Sequence, residues 1–160
     1  MGLFSFLKKA GAKIFDKAEK ETYKPETGKV STDALRHQKV ILLKGVISSL
    51  GIEVKNLALD LQGERVVVSG EVDSQADKEK VILAIGNVEG IATVDDRMTV
   101  DKTEPEAVFY EVKKGDTLSK IAKAHYGDWK KYPAIFEANK PMLKHPDKIY
   151  PGQTLRIPKL

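Results

Sequence analysis

The sequence predicts an α+β chain of two small domains, ordered α-β-β-α-β and then β-α-α-β. Three observations carry this. Apolar and polar residues alternate on both sides of Gln62-Gly63-Glu64, the pattern of a hairpin with one buried face. Apolar stripes at spacings of three and four lie before and after that hairpin, as helices require. A charged stretch around Pro105 then breaks all periodicity, and a second set of short elements follows it. The expected partition is an N-terminal amphipathic segment and connector over 1–33, a first domain over 34–101, a linker over 102–108 and a second domain over 109–160.

At 160 residues with 31% charged and 41% apolar side chains, the chain reads as globular rather than disordered. It has no Cys, which excludes a disulfide, a thiolate metal site and a Cys nucleophile. Residues 1–100 hold 15 basic and 15 acidic side chains, so the net +4 resides in the C-terminal third. No basic stripe interleaves with aromatics, and a nucleic-acid partner is not expected.

The opening apolar run, Leu3 to Leu7, is broken by Ser5 and followed by Lys8 and Lys9. That is too short for an export signal or a membrane span, so the expected compartment is the cytoplasm, without stable membrane insertion. Phe6 stands where a myristoylation motif needs Ser or Thr. Leu3, Phe6, Leu7, Ala10, Ile14 and Ala18 recur at helical spacing. Such a helix could pack on the next domain, the preferred reading, or lie on a membrane surface. Gly11 interrupts it. Residues 21–33 are polar and read as a connector.

In the first domain, a helix from Ala34 to Leu50 presents Leu43, Val46, Ile47 and Leu50, and Gly51 stops it. Leu57, Leu59 and Leu61, then Val66, Val68, Gly70 and Val72, form the hairpin. Ser74-x-x-Asp77 opens a helix with Val81, Ile82 and Ile85 on one stripe, ended by Gly86 and Gly90. Ile91 to Val100 is the last strand. The V-x-G-x-V run at 68–72 and the G-N-V-x-G-I-x-x-V-D-D run from Gly86 resemble the BON domain family over Leu35 to Val100. That resemblance implies the αββαβ fold and an association with lipid or membrane.

In the second domain, Phe109 to Val112 is a strand, helices run through Ile121-Ala122 and from Tyr132 to Ala138, and Leu155 to Pro158 is the closing strand. Gly115 and Gly152 suit positive-φ turns, Asp116 or Thr117 suits a helix cap, and Pro151 fixes a turn. The string Y-x-V-x-x-G-D-T-L-x-x-I-A from Tyr110, then Asn139-Lys140, then I-Y-P-G-Q-x-L-x-I-P from Ile149, resembles LysM. The resemblance implies a βααβ fold. It also implies a groove for N-acetylglucosamine polymers between Gly115, Asp116, Thr117, Leu118 and Ile149, Tyr150, Pro151, Gly152. On this alternative reading the chain is a peptidoglycan-binding module of an envelope-associated protein.

Catalytic patterns are missing from the sequence. His37, His125 and His145 are far apart, and Asp95-Asp96 would point to opposite faces of a strand, where they end the pairing or meet Arg97. Trp129 reads as at least partly buried. The expectation is a binding protein, not an enzyme.

Taken together, an opening Met-Gly-Leu-Phe-x-Phe, then BON, then LysM, resembles the bacterial potassium-binding proteins of BON–LysM architecture along nearly the whole chain. That resemblance implies an ion sensor holding K+ by backbone carbonyls, and a monomer is the expected state. The matching positions here are Leu7, Ala10, Ala12, Gly86, Val88 and Ile91. Physically, carbonyls replace the water shell of this large, weakly hydrated cation, and helix C-termini offer unpaired carbonyls with partial negative charge. A protein partner, if the sensor has one, is left unidentified by the sequence.

Overall fold

The computed structural model describes residues 2–6, 11, 13, 15, 23–24, 29–30, 32–102 and 105–159. Its elements are β1 (Gly2–Ser5), β2 (Tyr23–Lys24), β3 (Lys29–Val30), α1 (Thr32–Ser49), β4 (Lys55–Gln62), β5 (Arg65–Ser74), α2 (Gln75–Gly86) and β6 (Thr93–Lys102). The second domain follows with β7 (Val108–Glu111), α3 (Leu118–Tyr126), a 3-10 turn (Trp129–Lys131), α4 (Tyr132–Ala138) and β8 (Thr154–Ile157). The α+β architecture and both element orders are as the sequence predicts.

The first domain is a four-stranded sheet in the order β1-β6-β5-β4. β4 and β5 form the expected hairpin, Leu59 opposite Val68, closed by Gly63 at φ +65°. Helix α2 returns the chain so that β6 runs parallel to β5, with Val66 opposite Val94. Val66, Val68, Val72, Val94 and Met98 meet Leu43 and Ile47 of α1 and Val81, Ile82 and Ile85 of α2, all buried. Ser74 caps α2 by accepting the Asp77 amide at 3.1 Å, as the capping pattern predicts.

One element departs from the sequence reading. Residues Gly2–Ser5 are not helical but form an antiparallel edge strand on β6, Leu3 facing Asp95. Alternation replaces the helical stripe there: Leu3 is 63% exposed, while Phe6 is buried and Phe4 half-buried. Phe6 and Phe15 join the first domain's core, which is the packed arrangement rather than the membrane-surface one. The stripe positions Leu7, Ala10, Ile14 and Ala18 lie outside the described residues. Inside the expected connector, Tyr23–Lys24 pairs with Lys29–Val30 as a two-stranded ribbon.

Asp95 and Asp96 do turn to opposite partners, but β6 runs on to Lys102, so they do not end the ladder. Asp95 meets Arg65 at 2.6 Å and Arg97 at 3.1 Å, and these hydrogen bonds hold its carboxyl below the usual range. Asp96 meets Lys78 at 2.9 Å and the Met98 amide.

In the second domain β7 and β8 pair antiparallel, Tyr110 opposite Leu155. Val112, Leu118, Ile121, Ala122, Ile135, Leu143, Leu155 and Ile157 form its core. Thr117 caps α3 through the Lys120 amide, and Gly127, at φ +75°, ends it. Trp129 is 53% exposed, so its ring is only partly buried.

Candidate metal site

Helix α2 is the structural centre of the site. A helix on a sheet normally hides one stripe, yet Val81 through Gly86 are all buried. The first domain covers one side of α2 and strand β8 of the second domain covers another. At its C-terminus the Asn87 amide donates to the Leu83 carbonyl at 2.9 Å and the Val88 amide to Ile85 at 3.2 Å. The Ile91 amide donates to the Val88 carbonyl at 3.2 Å. Among the described residues, no amide beyond the helix donates to the carbonyls of Ala84 or Gly86. This turn therefore gathers oxygens and the negative end of the helix dipole in one place.

Phe6, Gly11 and Phe15 of the N-terminal segment lie against that same turn, and Gly86 and Gly11 make room for the approach. The Phe6 ring covers Gly86 so closely that a Cβ there would stand 2.1 Å from it. Gly11, at φ +110°, brings its backbone against Asn87, where a Cβ would stand 1.9 Å from the carbonyl oxygen. The Phe15 ring sits 3.4 Å from the Cβ direction of Gly90, itself at φ +103°. The Phe6 amide donates to the Ala92 carbonyl at 2.8 Å, which fixes where the segment enters.

Of the six carbonyl positions expected from the sequence, Gly86 ends α2, and Val88 and Ile91 lie on the turn that follows it. Leu7, Ala10 and Ala12 lie outside the described residues, but their neighbours Phe6 and Gly11 contact that turn. Among the described residues, no three His, Asp or Glu side chains converge on a common point. The oxygens at this turn suit a large monovalent cation rather than a transition metal.

Asn87, at the centre of the turn, joins the two domains. Its side-chain nitrogen donates to the Thr154 carbonyl at 2.8 Å and its oxygen accepts the Thr154 amide at 2.8 Å. Two residues along β8, Asn139 does the same to Arg156, at 2.8 and 2.7 Å. These two amides take the places of a neighbouring strand, satisfying the edge of β8 that β7 does not pair. Earlier on α2, Glu79 is buried against Arg156, 2.9 Å away, and its other oxygen accepts the Ala107 amide. The Phe4 and Phe109 rings meet with centroids 5.1 Å apart.

The sequence reading quoted Asn87 within a motif but gave it no role, and it missed Glu79. The available signal was the unbroken apolar run Val81–Ile85, which a one-sided helix does not need.

The residues of the alternative glycan groove occupy two adjacent loops, tied by the Gly152 amide to the Val112 carbonyl at 2.8 Å. Gly115, Thr117 and Pro151 are exposed, whereas Leu118 and Gly152 are buried. Asp116 and Ile149 are half-buried. Asp116 accepts the Tyr110 hydroxyl and the Lys113 amide, which hold its carboxyl below the usual range. Tyr150 is half-buried and turns toward the first domain, lining the cleft between the two. His37, His125 and His145 are exposed and separate, with His125 edge-on to the Tyr110 ring.

A BON domain model matches residues 42–102 and a LysM domain model matches residues 110–158. The chain is 42% identical to potassium binding protein Kbp of Escherichia coli O6:H1, over 99% of both chains. It is 34% identical over 132 residues to an uncharacterized protein of Deinococcus radiodurans, covering 73% of this chain and 51% of that one. With both domains present in order and Kbp matched from end to end, the chain belongs to the BON–LysM family of potassium-binding proteins.

Proposed function

We propose that this protein binds potassium and converts its presence into a fixed arrangement of its two domains. The ion would be held by the carbonyls of Gly86, Val88 and Ile91 on the turn after α2, and of Leu7, Ala10 and Ala12 on the N-terminal segment. The observation that supports this most is the approach of the Gly11 backbone to the Asn87 carbonyl. Two backbones meeting at a helix C-terminus concentrate oxygens that a cation neutralises. Val88 already accepts one hydrogen bond, and its carbonyl keeps a second lone pair.

The chain's own residues supply the rest of the mechanism. Phe6 and Phe15 hold the segment by burial, so the ion orders a short stretch between two anchors rather than a free tail. Asn87 carries the state of the turn to β8, because its side chain grips Thr154 while its backbone forms part of the turn. The proposed setting is the cytoplasm, with the chain acting as a monomer. Cell fractionation and light scattering test those two points.

The deciding experiment is calorimetric titration of potassium chloride, then sodium chloride, into protein stripped of alkali ions. The reading expects saturable heat with potassium and far less with sodium. It also expects a smaller radius of gyration in potassium. No heat with either ion would overturn it. Chitin oligomers in the syringe would then test the glycan groove.

A further inference from the structure

A cleft of about 430 Å³ opens between the two domains, beside the turn just described. Its volume and its position between domains are those of small-molecule sites. Val46 and Leu50 of α1 form an apolar wall, and Met142 and the half-buried ring of Tyr150 face them from the second domain.

The polar groups in the lining carry the argument. Gln153 is only 4% exposed, and its side-chain oxygen has no hydrogen-bond partner among the described residues. A buried amide oxygen left unpaired is costly, and because Gln153 lines the cleft, a turn of its side chain would let a donor held there pair with that oxygen. Lys144 and Lys148 also line the cleft, and among the described residues neither is in an ion pair. The cleft thus offers two cations, an apolar slot with an aromatic face and, just beneath its surface, one unpaired acceptor.

We infer that this cleft binds a nucleoside monophosphate or a closely similar flat heteroaromatic phosphate. The ring fits between aliphatic side chains and Tyr150, where ring stacking and the Met142 thioether both favour an aromatic body. An exocyclic amine donates to the Gln153 oxygen, as amide side chains recognise adenine. The phosphate meets Lys144 and Lys148. Gly11, Asn87 and Val88 also line the cleft, so its occupant touches the turn assigned above to potassium. That part of the inference rests on the proposed function, and it makes the two affinities mutually dependent.

The test is calorimetric titration of adenosine monophosphate into the full chain, once in potassium chloride and once in sodium chloride. Adenosine, ribose 5-phosphate and inosine monophosphate are run alongside. Saturable binding of adenosine monophosphate is expected, at least tenfold tighter than each of the other three. The surface double variant Lys144→Ala/Lys148→Ala should lose at least tenfold. Gln153→Leu should erase the preference for the amine over the oxo group of inosine monophosphate. No saturable heat would overturn the site and leave water as the partner of Gln153. Equal binding of ribose 5-phosphate would overturn it as mere charge attraction. Equal affinity in both salts would support the site and overturn its linkage to the ion. Heat from the nucleotide but none from potassium would uphold the cleft and sink the ion reading alone.

Discussion

Replacing Gly11 with alanine tests the contact on which the proposed ion site depends. The new methyl would stand 1.9 Å from the Asn87 carbonyl oxygen, and the gap would have to widen by about 1 Å to reach even 3.0 Å. Both sides of the clash are backbone, so no rotamer change relieves it. The φ of +110° adds strain of about 1–3 kcal/mol for a residue with a Cβ. The cheapest escape is to lift the segment off the turn, exposing Phe6 and Phe15. Each buried phenyl ring contributes about 1.5–3 kcal/mol, so the loss is capped near 3–6 kcal/mol. For a chain of this size that lowers Tm by on the order of 10 °C.

Gly63→Ala is the matched control. Gly63 also has positive φ, +65°, but nothing lies within 4 Å of its Cβ direction, so only about 1–2 kcal/mol is expected. Thermal unfolding of both variants in potassium and in sodium chloride, with potassium calorimetry, is the assay. Gly11→Ala should also abolish the stabilisation by potassium. If it melts within about 1 kcal/mol of Gly63→Ala and gives full potassium heat, the reasoning fails.

Three further outcomes follow from the domain junction and the second domain. Asn87→Ala strips the Thr154 amide and carbonyl of their partners, at about 1–3 kcal/mol each. Calorimetric melting should split into two transitions while potassium heat persists, and a single transition at the original temperature would contradict the role given to Asn87. Glu79→Gln leaves the buried Arg156 guanidinium without its carboxylate, a loss of about 3–5 kcal/mol in urea unfolding. Glu79→Leu/Arg156→Met together should recover most of that, and no recovery would mean that the charges matter for more than each other.

The Tyr110 hydroxyl is pushed up to about 12, first by its hydrogen bond to Asp116 and then by burial. A raised folded value favours the protonated phenol, so this stabilisation is complete below the ordinary tyrosine value of about 10 and fades as pH climbs toward 12. The gap in urea midpoint between the unaltered protein and Tyr110→Phe should shrink between pH 9 and about 11.5, and a constant gap would refute the assignment.

The helices, the hairpin and the second domain's caps were legible because each is encoded locally. Val66, Val68 and Val72 alternate within one strand, and Thr117 is followed three residues later by the amide it caps. Strand β1 was not legible, because Leu3 and Phe6 match helical spacing equally well. Its partner is the edge of β6, most of a domain away in the chain. Burial on both sides of α2 was half-visible in Val81–Ile85, but no local pattern names β8 as the covering element. Asn87 reads as an ordinary helix end, and only the second domain turns it into a clasp. The proposed ion donors are the extreme case: carbonyls are common to every residue, so the positions came from family resemblance, and local pattern supplied only Gly11, Gly86 and Gly90 near them.

The pairing of β1 with β6 also sets an order of assembly. β6 is the last strand of its domain, so during synthesis the N-terminal strand waits unpaired until the rest of that sheet exists. The loop it closes spans nearly the whole first domain, which makes this docking entropically the most expensive step and a late one. The second domain, whose β7 and β8 are joined by local helices, can fold without waiting for it. The turn proposed for the ion therefore acquires its second wall only after the first domain is finished, and a half-made chain presents no completed cradle.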